Sequence, residues 1–160
     1  MSDNQSLTSP SETSFNYSTI HDRADHSQEV AKEALGFRLP SWQDFNTVSE
    51  RAYGFGDAMV EAANISTQLE EQLYIMLSIK MVLDMCWDEV DASIPAVHHK
   101  TDFSSSRAIR LSSAIKKDTD LWEAKCKVDG CVEVLKRSVD RAIGLHTVAS
   151  RAAGIAMGPS

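Results

Sequence analysis

The sequence predicts an all-α protein: a long antiparallel helical hairpin, coiled-coil-like, with a short N-terminal helix and a disordered or extended N-terminal arm. Three observations predict it. Two runs of about 50 residues, roughly 41–94 and 105–156, contain no interior proline and repeat apolar residues every three and four positions. Between them, "SIPAVHHKTDFSSS", Ser93 to Ser106, gathers the Pro and Ser that punctuate a turn. The halves also differ in charge: residues 1–96 hold 5 Lys+Arg against 16 Asp+Glu, and residues 97–160 hold 11 against 7.

Taken in order, residues 1–27 are rich in Ser, Thr, Asn and Asp with scattered apolar residues and no evident period, so they read as a flexible arm. Ser27 and Gly36 bracket an expected short helix over 28–36. Ser41, with Asp44 three residues on, marks the expected start of a long helix reaching about residue 94. Counting sevens places Phe45, Ala52, Met59, Ser66, Leu73, Lys80, Trp87 and Ile94 at one seam position. Val48, Phe55, Ala62, Leu69, Met76, Leu83 and Val90 fall at the other. Thirteen of these fifteen are apolar, which favours one continuous helix, although Gly54, Gly56 and "NIST" (Asn64 to Thr67) are places where it could break. A turn over 95–104 leads to a second helix of matching length, about 105–156, capped by one of Ser104 to Ser106. Its seam positions are Leu111, Asp118, Lys125, Val132, Val139, His146 and Ala153, and Ala114, Leu121, Val128, Leu135, Ala142 and Ala149.

Folded back antiparallel, the runs make a rod of about 75 Å at 1.5 Å per residue. The expected register sets Trp87 against Ala114, Met59 against Ala142, Ser66 against Leu135 and Ala62 against Val139, large opposite small. Apolar residues off the seam, Tyr74, Ile75, Leu77, Ile79, Val82 and Met85 on the first run and Ile109, Ile115, Trp122, Cys131, Ile143 and Leu145 on the second, require further partners. Self-association is the economical way to cover them.

Composition limits the function classes. With 160 residues, 42% hydrophobic and 24% charged, one domain is expected. No apolar run suits a membrane span or signal peptide, so the expectation is a cytoplasmic, non-secreted chain without membrane partners. Cys86, Cys126 and Cys131 form no CxxC and read as reduced core residues. The sequence shows no nucleophile and base set and no phosphate loop, and neither cofactor nor catalytic residues are expected.

Three polar groups are candidates for more than packing. Lys80 and Asp118 occupy adjacent seam layers and are expected to pair and so hold the register. Asp84, Asp88 and Asp91 share a helix face near His98 and His99. The pattern resembles the carboxylate helices of all-α nucleotide pyrophosphohydrolases, though a solvated acidic face is the simpler reading and no metal site is assigned. His146 reads as a packed seam residue. Beyond the turn, Lys100, Arg107, Arg110, Lys116 and Lys117 accompany a single acid, Asp102, over 97–117. They are the candidate nucleic-acid-binding residues, together with Lys80, and the alternative is that they face acids on the neighbouring helix.

"IKMVLD" (Ile79 to Asp84) and "KKDTDL" (Lys116 to Leu121), followed by Asp129, Cys131 and Leu135, resemble the UvsY family of phage recombination mediators. Val82 stands where that family has a second basic residue. The resemblance implies an oligomer that binds single-stranded DNA and helps load a recombinase, with Lys80 as a basic motif position. The expectation from the residues themselves is a non-enzymatic, homo-oligomeric assembly or adaptor protein, and the resemblance implies one of phage or viral type.

Overall fold

A computed structural model describes residues 16–95 and 103–158. Among them every regular element is helical: α1 (Tyr17–Leu35), a single 3-10 turn (Trp42–Asp44), α2 (Val48–Ala92), α3 (Phe103–Lys117) and α4 (Thr119–Met157). No helix is long and apolar enough to cross a membrane. Residues 1–15 of the arm expected over 1–27, and the turn residues 96–102, including His98, His99 and Lys100, lie outside the described residues, whereas 17–27 of that arm are helical.

α1 begins eleven residues before the expected start. Asn16 caps it, its side chain accepting from the Thr19 N–H at 3.2 Å, and Ser27 is buried in mid-helix instead of capping. The period was hidden by small residues. Tyr17, Ile20, Ala24, Ser27, Ala31 and Ala34 recur at three and four, and the last four are buried. Small side chains let α1 lie close on α2 and α4. The Ser27 hydroxyl donates to Gln72 Oε1 at 2.8 Å, and Cys131 Sγ lies 3.6 Å from the Ala24 carbonyl. Lys127 pairs with Asp25 at 2.6 Å. Arg141 then closes the end of α1, donating to the Ala34 and Phe37 carbonyls at 3.2 and 3.0 Å.

The long helix starts at Val48, seven residues later than expected. Asp44 does take the Ser41 N–H at 2.7 Å, but this starts only the 3-10 turn. The effective cap is Thr47, whose hydroxyl accepts from the Glu50 N–H while Glu50 accepts from the Thr47 N–H, at 3.1 and 3.3 Å. Phe45, the first residue of the heptad count, therefore lies outside the helix and folds back on it. Its ring stands edge-on to Phe55 at 5.7 Å, and Trp42 stacks on Phe55 at 5.9 Å. Gly54 makes that return possible, because a Cβ there would collide with the Phe45 ring. Arg51 fastens the hook: it donates to the Trp42 and Phe45 carbonyls, with its guanidinium 4.7 Å from the Trp42 ring centroid.

α2 runs unbroken through Gly54, Gly56 and Asn64 to Thr67. Most of its inward residues are those of the heptad count, Phe55, Ala62, Ser66, Leu69, Met76 and Leu83 being buried; Ala58 is buried outside the count, and Val48, a seam position in it, is exposed at the start of the helix. On the second run, Ala114, Leu121, Val128, Val132, Leu135, Val139, Ala142 and Ala149 are buried as well.

Two expectations about the second run fail. It is not one helix, since Asp118 leaves the helical path at φ −146° and accepts from the Leu121 N–H at 3.1 Å as the cap of α4. The local sequence favours this: Lys116 and Lys117 suit a helix C-terminus, and Asp120 suits the N-terminus that follows. The partner register also differs. Trp87 packs on Trp122, ring centroids 4.9 Å apart, eight residues beyond the expected Ala114. Lys80–Asp129 and Asp84–Lys125 are displaced from the expected partners by the same number of residues. A shift of about one heptad leaves the same residues facing inward, so apolar periodicity does not distinguish the two registers.

The two glycines at the start of α2 give opposite expectations. Gly56→Ala, into open space, should stabilise by about 1 kcal/mol from helix propensity. Gly54→Ala should give no gain or a net loss, because the Phe45 ring must leave Phe55. Urea melts of the two variants check this, and equal gains at both positions would show that Phe45 does not pack there.

Candidate interaction surface

Toward the C-terminal end of α2, where it meets the first turns of α4, four charged side chains form a closed square. Lys80 lies 2.9 Å from Asp84 and 3.0 Å from Asp129, and Lys125 lies 3.1 Å from Asp84 and 3.0 Å from Asp129. Two sides join residues four apart on one helix, and two cross between helices. Asp84 Oδ1 and Asp129 Oδ1 are themselves buried and accept no well-angled hydrogen bond, yet each stands within ion-pair distance of the opposite ammonium. Their cross-helix attraction is therefore electrostatic more than directional.

The square shifts the titration of Lys80, Asp84 and Lys125. The hydrogen bond to Asp84 and the close contact with Asp129 raise the Lys80 pKa. Burial pushes Asp84 up, but the contacts with Lys80 and Lys125 outweigh it and leave the carboxyl below its ordinary value. Burial lowers Lys125 while its contacts with Asp129 and Asp84 raise it, and the net effect is upward. The expected Lys80–Asp118 pair does not form, because Asp118 caps α4 and Lys80 is held by Asp84 and Asp129. Asp129 and Lys125 are the residues that sequence reasoning missed as partners; two Lys and Asp pairs at i, i+4, one in each run, were the available signal.

Two of the basic residues beyond the turn hold the end of α2. Arg110 donates to the Asp91 carboxylate at 3.0 Å and to its carbonyl at 2.6 Å, and Lys117 donates to the Ser93 hydroxyl, so both hold the C-terminal end of α2. That is the helix end at which cations are favourable. Arg107 and Lys116 are exposed. Of the acidic trio, Asp84 belongs to the square, Asp91 to Arg110, and Asp88 is exposed, so the three do not converge. Among the described residues no three His, Cys, Asp or Glu are placed to hold a metal ion. His146 is half-buried. Cys131 is buried and Cys86 half-buried, and burial raises both thiols, whereas Cys126 is exposed, against the expectation of a core position.

The remaining feature is the outer side of α2, which is apolar on more than its inward face. Tyr74, Met81 and Met85 are 74%, 62% and 61% exposed, and Leu77, Ser78 and Val82 beside them are also exposed. Lys80 and Asp84 turn toward α4, so this outward patch carries no charge over three turns. Exposed acid pairs close it at each end, Glu70 and Glu71 before it and Asp88 and Glu89 after it. Sequence reasoning named Tyr74, Leu77, Val82 and Met85 as off-seam residues but omitted Met81, and it counted Ile75 and Ile79, which the fold half-buries.

Comparison with protein-family models, with curated proteins and with solved structures finds no match.

The ionic square makes stability depend on pH in a defined sense. Asp84 titrates lower folded than unfolded, so its contribution is intact above the ordinary 3.8 and is lost as pH falls through the depressed folded value. Lys80 and Lys125 titrate higher when folded, so theirs is intact below the ordinary 10.5 and is lost as pH rises through the elevated values. Thermal melts across pH should show losses at both extremes. Asp129→Asn should destabilise by about 1–2 kcal/mol at neutral pH, between the values for exposed and buried pairs. A variant as stable as the parent would remove the square from the forces holding the fold.

Proposed function

We propose that this chain is a non-enzymatic assembly or adaptor module that works as a homo-oligomer, built on a rod in which α2 and α4 form a long antiparallel hairpin braced by α1. The observation that carries this reading is the charge-free patch Tyr74–Met85, whose apolar side chains lie outside the core. A surface of that composition on a rod with a narrow interior is best explained by burial against another subunit. The contacts Lys80–Asp129, Asp84–Lys125 and Trp87–Trp122, which run in opposite senses, support the hairpin. The Arg110 and Lys117 contacts to α2 support a tight return at that end.

A second reading is a single-stranded-DNA-binding mediator that helps load a recombinase. What favours it is α3, "FSSSRAIRLSSAIKK", which has no acidic residue and exposes Arg107 and Lys116. Lys80 supports it less, being held within the ionic square.

Light scattering on the intact chain should give a mass that is a multiple of 17.6 kDa. Tyr74→Lys or Met81→Lys should move it toward the monomer with unchanged helical circular dichroism. A parent that stays monomeric at high concentration would refute the oligomer. For the second reading, anisotropy of a labelled single-stranded oligonucleotide should rise at low salt and fall steeply as salt increases, with Arg107→Glu and Lys116→Glu weakening binding across sequences. Binding that ignores both substitutions would exclude α3 as the DNA surface.

A further inference from the structure

The self-association proposed above leaves open what covers the outer patch of α2, and charge decides between the surfaces the chain itself offers. A second α2 is a poor occupant. Paired in either direction, the two patches would bring Glu70, Glu71, Asp88 and Glu89 of one copy against acids of the other. The outer side of α4 exposes Val134, Ile143, Val148 and Ile155, but Glu133 and Asp140 lie among them.

α3 has the opposite character. It contains no acid, and of its residues from Ser106 onward only Ala114 is buried. Arg110 and Lys117 hold its inner side against the end of α2. Its outer side carries Ala108, Leu111, Ser112 and Ile115 at helical spacing, with Ile109 alongside; Leu111 is 43% and Ile109 42% exposed. Arg107 and Lys116 flank this stripe. Nine residues apart, they are separated by about 14 Å along the axis, and long side chains extend their reach at both ends toward acid pairs about 25 Å apart. With its inner side engaged on its own α2, α3 has its outer side to offer.

We infer that the outer face of α3 from one copy docks on the Tyr74–Met85 patch of α2 in a second copy, with Arg107 and Lys116 set against the acid pairs at the patch ends. This inference rests on the self-association proposed above. The contact is reciprocal: each copy has one α3 and one patch near the same end of the rod, so a two-fold axis satisfies both at once and closes a dimer. Leu111 and Ile115 cover Met81 and Met85, whose flexible thioethers adapt to an imperfect partner.

The test is a charge exchange in the full chain, read by sedimentation equilibrium. Arg107→Glu with Lys116→Glu should weaken self-association roughly tenfold or more, and Glu71→Lys with Glu89→Lys should do the same. All four substitutions in one chain should restore it, since the attraction is re-formed with reversed sign. Circular dichroism of each variant checks that the helices persist. In a Cys126→Ser background, Met81→Cys with Leu111→Cys should give an intermolecular disulfide on mild oxidation.

A parent monomeric at high concentration overturns both the oligomer and this contact. A parent oligomer that neither charge pair weakens, that the fourfold exchange does not restore, or whose Met81→Cys, Leu111→Cys double variant forms no disulfide between copies overturns the α3-on-α2 contact alone and leaves self-association standing.

Discussion

Two lysines and two aspartates hold α2 and α4 in one of several registers that their apolar residues would tolerate about equally. Sliding one heptad along another by seven residues returns apolar side chains to the same face, so hydrophobic burial supplies the attraction between the helices without specifying their offset. The square of Lys80, Asp84, Lys125 and Asp129 does not survive such a slip, because each ammonium would leave its carboxylate on the other helix and each carboxylate would keep a buried oxygen without a counter-charge. The Trp87–Trp122 contact adds a second feature of the same offset, since two large rings fill a layer that a slipped partner would leave open.

The rest of the fold follows from that offset. With α2 and α4 fixed, their shared groove accepts α1, whose Ala and Ser stripe fits because nothing larger would. Three arginines then finish the chain's irregular points. Arg51 secures the hook before α2, Arg110 the end of α2, and Arg141 the end of α1, each donating to backbone carbonyls there. Asp118 performs the matching task in the second run, ending one helix and starting the next with a single carboxylate.

What this arrangement leaves outside is as informative as what it encloses. Helices packed three together share one interior line, and α2 is apolar on more sides than that line can use. The surplus is concentrated between two acid pairs, and the acid-free helix α3 presents apolar and basic residues of the complementary kind.

Much of this was legible before the chain was folded. All-helical class, the seam set Phe55, Ala62, Leu69, Met76 and Leu83, its counterparts Leu121 to Ala149, and a surplus of apolar surface on α2 follow from periodicity, because burial repeats with the helical turn. The extent of α1 was not legible, since Ala and Ser carry little hydrophobic signal and become core residues only when a neighbouring backbone comes close. The break at Asp118 was spelled out locally by Lys, Lys, Asp, Thr, Asp, but an apolar pattern continuing on either side concealed it. Register and the partners of Lys80, Arg110 and Lys117 were decided by tertiary structure alone. Sequence determines which side of each helix is apolar. Which charges meet across the gap depends on an offset that apolar burial leaves free, and only the assembled helices determine it.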